Sequence, residues 1–128
     1  VEPFLVSSSL DGVLAQRLVR KICPHCKEAY EPDLAALPKD LVLEPGQLLY
    51  RGRGCRECRN IGYRGRLGIF ELLMIDDELR EMIVQRASAG RIQQVALKHG
   101  LKLLREDGWG KVRAGLTTPE EVLRATKV

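Results

Sequence analysis

The four cysteines of this chain fall into two pairs, CPHC at 23–26 and CREC at 55–58, separated by 28 residues. A two-residue spacer lets one tight turn aim two sulfurs at a common point. Two such turns supply the four donors of a tetrahedral site with metal–sulfur bonds of about 2.3 Å. Cys23, Cys26, Cys55 and Cys58 are therefore expected to hold one zinc ion as thiolates. Four protein donors leave no open coordination position, which marks a structural rather than a catalytic site. Two disulfides or four unrelated core thiols are the plainer alternatives. A reducing cytosol disfavours the first, and the paired spacing disfavours the second. A redox CxxC is a lesser rival, because thioredoxin-like motifs use one pair beside a βαβ pattern, and here two pairs stand without one. Structural zinc of this kind supplies ~10–16 kcal/mol of apparent free energy at neutral pH, so chelation is expected to unfold the middle of the chain. His25 lies within the first pair and reads as a solvent-facing spacer, since four thiolates already close the shell. His99 precedes Gly100 at a helix end, where donor side chains satisfy last-turn carbonyls.

With 128 residues, 45% of them hydrophobic, the chain can build one ordinary domain or two small lobes. Aromatic residues make up only 5%, so the core is expected to be aliphatic. No run approaches the roughly 18 apolar residues of a membrane span. The opening stretch VEPFLVSSSLDG lacks the basic and apolar regions of a signal peptide, and the setting is read as cytosolic. It also lacks an initiator Met, so the chain reads as an excised piece with further functional residues upstream. Formal net charge is +4, and four thiolates with one zinc ion bring it to about +2. The positive charge is concentrated around the second cysteine pair, where Arg51, Arg53, Arg56, Arg59, Arg64 and Arg66 face Glu57 alone.

The order of elements points to an α+β, mostly α, chain. PFLV at 3–6 reads as the end of a buried strand, and Ser8 or Ser9 as the cap of a helix carrying Leu10, Val13, Leu14 and Leu18. Between the knuckles, Pro32, Pro38, Pro45 and Gly46 cut the chain into short pieces, with a helical turn near 33–37 and a strand over 47–51. The stretch 66–75 is the best strand in the chain, with Gly62, Gly65 and Gly68 loosening its start. Helices follow, the first capped by Asp76, the second starting at Ser88 and ended by Gly100, the third over 103–114 before Gly115. Thr118-Pro119-Glu120-Glu121 reads as a capping box with Pro at N1 of a fourth. Together these are expected to form one small C-terminal bundle. No phosphate loop, GxSxG, HExxH or GxGxxG occurs, so this stretch alone is not expected to turn over a substrate.

Three stretches together resemble a known family: PFLVSSSLDGVLAQRLVRKICPHC, GCRECRNIGYRGRLGIFELLMID and LREDGWGKVRAGLTTPEEVLRAT. They are similar to the C-terminal part of the bacterial type II secretion ATPases, within the superfamily of hexameric secretion ATPases that includes the type IV pilus assembly motors. The resemblance implies a cytosolic ring ATPase, using ATP and Mg²⁺ through Walker motifs upstream, associated with the inner membrane through platform proteins of a secretion or pilus system. It divides the chain into the edge of a RecA-like core (1–22), a tetracysteine metal-binding subdomain (23–75) and a C-terminal helical subdomain (76–128). Residues 8–22 are then the late helix of that core, and the four cysteines the family's metal ligands. Arg64 and Arg66 have two readings. The plain one is a solvated surface; the sharper one is contact with nucleotide phosphate or a neighbouring subunit. A zinc-ribbon-like nucleic-acid module is the rival function. The few aromatics for base stacking and the low charge argue against nucleic acid as a partner.

Overall fold

The structure, a computed structural model, describes residues 11–127. The strand expected at 3–6 and the cap at Ser8 or Ser9 lie outside the described residues. The chain divides into two compact units. One holds residues 11–15 with Glu71–Leu103; the other holds Gln16–Phe70 with residues 104–127.

Residues 12–22, expected to be helical, form a long strand instead. Strand β1 (Gly12–Ile22) pairs with β4 (Tyr63–Met74) in a two-stranded sheet. The side chains that become buried are Val19 and Ile22, whereas Leu14 and Leu18 stay exposed. Leu14 and Leu18 are four residues apart, a spacing that puts side chains on one face of a strand as well as of a helix. The arbiter is β4, which satisfies the backbone groups of β1 from more than 40 residues away. Strands of 11, 4, 4 and 12 residues stand beside helices of 8, 10, 10 and 7, so the described chain is mixed rather than mostly helical. A RecA-like core is not among the described elements.

In the first unit, helix α1 (Asp77–Val84) is capped by Asp76, whose carboxylate accepts from Leu79 N–H at 2.9 Å. Helix α2 (Ala89–Lys98) starts at Ser88, whose hydroxyl accepts from Arg91 N–H, and ends at Gly100 with φ +97°. Both caps are as read from the sequence. Ile75, Leu79, Met82 and Ala96 form the core. His99 does not serve the last-turn carbonyls with its ring. Its Nδ1 bonds Asp76, and its Nε2 lies 2.9 Å from Glu78, so the end of α2 is tied to the start of α1.

In the second unit, β2 (Lys27–Tyr30) pairs antiparallel with β3 (Leu49–Gly52), Lys27 opposite Gly52 and Tyr30 opposite Leu49. The expected helical turn is a 3₁₀ turn, Leu34–Ala36, capped by Asp33. Helices α3 (Leu104–Arg113) and α4 (Pro119–Ala125) complete this unit, whereas α1 and α2 belong to the first. Leu41, Leu49, Trp109, Val112 and Val122 are its core, each fully buried side chain stabilising by about 1.5–3 kcal/mol. Trp109, wholly buried, donates from Nε1 to Asp40 at 2.7 Å. Gly108 lets α4 approach: a Cβ there would stand 2.6 Å from Val122 Cγ1.

The opening of α4 follows the sequence at Thr118, which accepts from Glu121 N–H, and at Pro119. The other half of the capping box is different. The Glu121 carboxylate is 2% exposed and turns to β1, accepting from Arg20 N–H at 2.8 Å and from the Arg20 guanidinium at 3.0 Å. Arg124 donates to it twice, at 3.1 and 3.0 Å. Burial raises its pKa, but Arg124 and Arg20 outweigh burial and hold it at about 2. Beside it the Thr117 hydroxyl donates to the Arg20 carbonyl at 2.7 Å.

Candidate metal centre

The cysteines sit in two turns between strands. Cys23 follows the last residue of β1, Cys26 precedes the first of β2, and Cys55 and Cys58 lie in the turn between β3 and β4. The two knuckles are stitched together by the backbone: Cys23 N–H donates to Gly62 C=O at 3.0 Å, and Arg53 N–H donates to Cys26 C=O at 3.2 Å. The second knuckle winds through left-handed conformations at Arg59 and Asn60, with φ +57° and +62°. Glycine is required on either side of it, at Gly52 before the cysteines and Gly62 after them. A Cβ on Gly52 would lie 2.1 Å from Gly62 O, and one on Gly62, where φ is +86°, would lie 2.6 Å from Gly52 O.

The four sulfurs lie within 4.8 Å of one another. Three of the spacings are Cys23–Cys55 at 3.8 Å, Cys26–Cys58 at 3.8 Å and Cys55–Cys58 at 3.7 Å. A regular tetrahedron with bonds of about 2.3 Å has edges of about 3.8 Å. These spacings are far beyond the roughly 2.05 Å of a disulfide, and all four thiols are free. The disulfide alternative is thus absent from this arrangement.

Backbone amides point at the sulfurs, Gly54 to Cys26 at 3.3 Å and both Cys55 and Gly62 to Cys58 at 3.3 and 3.2 Å. Burial pushes the Cys26 thiol up to about 12. Burial acts the same way on Cys58, but the Gly62 and Cys55 amides with neighbouring thiols outweigh it and bring it down to about 6. Without a cation the cluster resists losing all its protons. A divalent ion reverses that balance, because a coordinated thiol is deprotonated outright. Four soft donors, three of them buried, can hold one metal ion with no position left for substrate.

The flanking basic residues are not gathered into one site. Arg51 pairs with Glu28 at 3.1 Å and lies over the Tyr30 ring. Arg64 meets Glu57 at 3.6 Å, both side chains more than half exposed, a geometry worth little. Arg64 lines a cleft with Lys21, His25 and Lys27, and Arg66 is exposed on β4 outside that lining. His25 is exposed, as its spacer reading requires. The sequence reading missed the Gly52–Gly62 contact. Its trace was the alternation of glycine with arginine and cysteine on either side of CREC, which marks close backbone approach only once the knuckle is known to fold back.

Among proteins of known family, residues 1–124 match the model described as "Type II/IV secretion system protein". The chain belongs to that family. Its relatives include the Type IV pilus assembly ATPase PilB of Thermus thermophilus, 49% identical over 98% of this chain and 14% of that protein. The Type II secretion system ATPase E of Vibrio cholerae is 48% identical over 99% of this chain and 25% of its own length. The Type II secretion system protein E of Pseudomonas aeruginosa is 49% identical over the same shares. The resemblance carried by the three motif stretches is borne out. The chain spans a quarter or less of the length of these family members. No helix among the described residues is long and apolar enough to cross a membrane.

Proposed function

We propose that this chain is the zinc-stabilised C-terminal part of a ring-forming ATPase that drives type II protein secretion. The observation that carries the reading is the set of four sulfurs at tetrahedral spacing, inside a chain that matches secretion ATPases along nearly its whole length. Cys23, Cys26, Cys55 and Cys58 hold the ion as thiolates, and the Gly54, Cys55 and Gly62 amides orient and stabilise the sulfur charge. Zinc bound there supplies folding free energy rather than Lewis-acid chemistry, since its shell is closed. ATP and Mg²⁺ act in the rest of the protein. The working partners are other subunits of the ring and inner-membrane platform proteins, on the cytoplasmic side. The 49% identity to a Type IV pilus assembly ATPase supports a second reading, the same module in a pilus motor.

Two measurements test this. Purified chain should contain one zinc per molecule, with all four thiols shielded from a thiol reagent until a strong chelator is added. A metal-free protein that keeps its tertiary structure in chelator sinks the zinc reading. Grafting the chain in place of the matching quarter of the Vibrio cholerae protein should restore type II secretion, and the same graft with Cys23→Ser and Cys58→Ser should not. A zinc-loaded graft that restores neither secretion nor, in a pilus motor, piliation sinks the motor reading alone.

A further inference from the structure

Beside the first knuckle, within the second unit, lies an open cleft of about 490 Å³. Its lining carries Lys21, His25, Lys27 and Arg64, with Gly115 and Leu116 on its wall and no carboxylate. The four basic residues come from four places in the chain. Lys21 is near the end of β1, His25 is in the CPHC turn, Lys27 opens β2, and Arg64 stands on β4. Lys21, His25 and Lys27 lie within one seven-residue stretch, and the fold brings Arg64 to them, which is why the sequence reading paired Arg64 with Arg66 instead.

The scaffold behind these cations is fixed. Ile22 N–H donates to Leu116 C=O at 3.0 Å, fastening β1 to the turn before α4. Gly115 sits at φ +78°, and a Cβ there would come within 3.1 Å of Lys27 Nζ and 3.0 Å of the Tyr50 ring. Lys27 is held over that ring, 4.7 Å from its centre. Among the described residues neither Lys21 nor Lys27 has a carboxylate at ion-pair distance. Arg64 has only the exposed contact with Glu57. Like charges set around a concave surface without counter-charges raise the local concentration of anions. Balancing the charge of a metal–thiolate cluster is the plainer account of these residues, but that role needs neither a cleft nor convergence from four elements.

We infer that this cleft binds a small compound carrying two linked phosphates. The oxygens of the diphosphate lie on Lys21, Lys27 and Arg64, and any organic part rests against Leu116. Arginine and lysine together are the usual partners of phosphate oxygens, the first as a planar fork and the second as a point charge. The volume falls in the range of small-ligand sites and exceeds what a single phosphate fills. Three permanent cations also match a diphosphate better than a monoester. The inference is independent of the motor reading.

The test is calorimetric titration of the metal-replete chain with pyrophosphate and, separately, with ADP, both without Mg²⁺. Saturable one-to-one binding of at least one is expected, and the tighter of the two tells an inorganic from a nucleotide ligand. Lys27→Gln with Arg64→Gln should weaken it about ten-fold or more. Arg66→Gln, which removes the same charge outside the cleft, should change it less than about two-fold. Zinc content is measured for every variant, so a loss of binding with the metal retained is assigned to the cleft. The proposal is overturned by no saturable binding of either compound below roughly 10 mM, an affinity weaker than about 3 kcal/mol. It is equally overturned if Arg66→Gln weakens binding as much as the Lys27→Gln and Arg64→Gln pair.

Discussion

Replacing Glu121 by Gln should cost the second unit roughly 2–3 kcal/mol at pH 7, and the structure gives the size of that loss. The carboxylate lies almost wholly out of solvent and receives four N–H donors, two from Arg20 and two from Arg124. Its pKa falls from an ordinary 4.5 to about 2, and at about 1.4 kcal/mol per pH unit that gap corresponds to roughly 3–4 kcal/mol before screening. The side chains of Arg20 and Arg124 are 46% and 57% exposed, so solvent screening lowers their share. Gln keeps the volume but offers one acceptor oxygen and turns an amide N–H toward the guanidinium groups. Because the folded state binds its proton less readily, the stabilisation is complete above about pH 4.5 and is lost as pH falls toward 2. Urea unfolding of zinc-loaded protein provides the assay, read by the fluorescence of the single tryptophan, Trp109, which is buried in the same unit. The difference between wild type and Glu121→Gln should be the same at pH 7 and pH 5.5. A difference below about 0.5 kcal/mol, or one that already shrinks between those two pH values, refutes the argument.

Gly62→Ala should destabilise the knuckles by roughly 2–4 kcal/mol, since its Cβ meets the Gly52 carbonyl at 2.6 Å. It should also weaken metal binding about ten-fold or more in competition with a chromophoric chelator, because Gly62 N–H serves Cys58 Sγ; unchanged affinity counts against that role. Asp40→Ala leaves the buried Trp109 Nε1–H without its acceptor, and should lower the urea midpoint by about 1–3 kcal/mol equivalent with altered tryptophan emission. A midpoint equal to wild type contradicts this. Asp76→Ala removes both the cap of α1 and the contact with His99, and should loosen the start of that helix. Hydrogen exchange at the Leu79 amide should speed up roughly five- to thirty-fold, and unchanged protection there argues against the cap.

What could be read without coordinates is what is local. The two CxxC turns, the caps at Asp76, Ser88 and Thr118 and the stop at Gly100 each rest on residues within about four positions of one another. Strand β1 was misread because its identity is decided elsewhere. Leu14 and Leu18 satisfy helical and extended spacing alike, and β4, which settles the matter, is far along the chain. Glu121 was assigned the reciprocal half of a capping box on a sound local rule, yet Arg20, 101 residues earlier, outcompetes Thr118 for its carboxylate. The cation cleft was illegible for the same reason, because Arg64 joins the basic residues of the first knuckle only once the chain has folded back.

The clasp between Arg20 and Glu121 has a consequence for synthesis. Both knuckles have left the ribosome long before α4 exists, so the sulfurs can gather early around a cation. The edge of β1 then waits, its Arg20 N–H and C=O unserved, until Thr117 and Glu121 emerge. A chain truncated before residue 117 would thus carry its four gathered sulfurs on an unfinished strand.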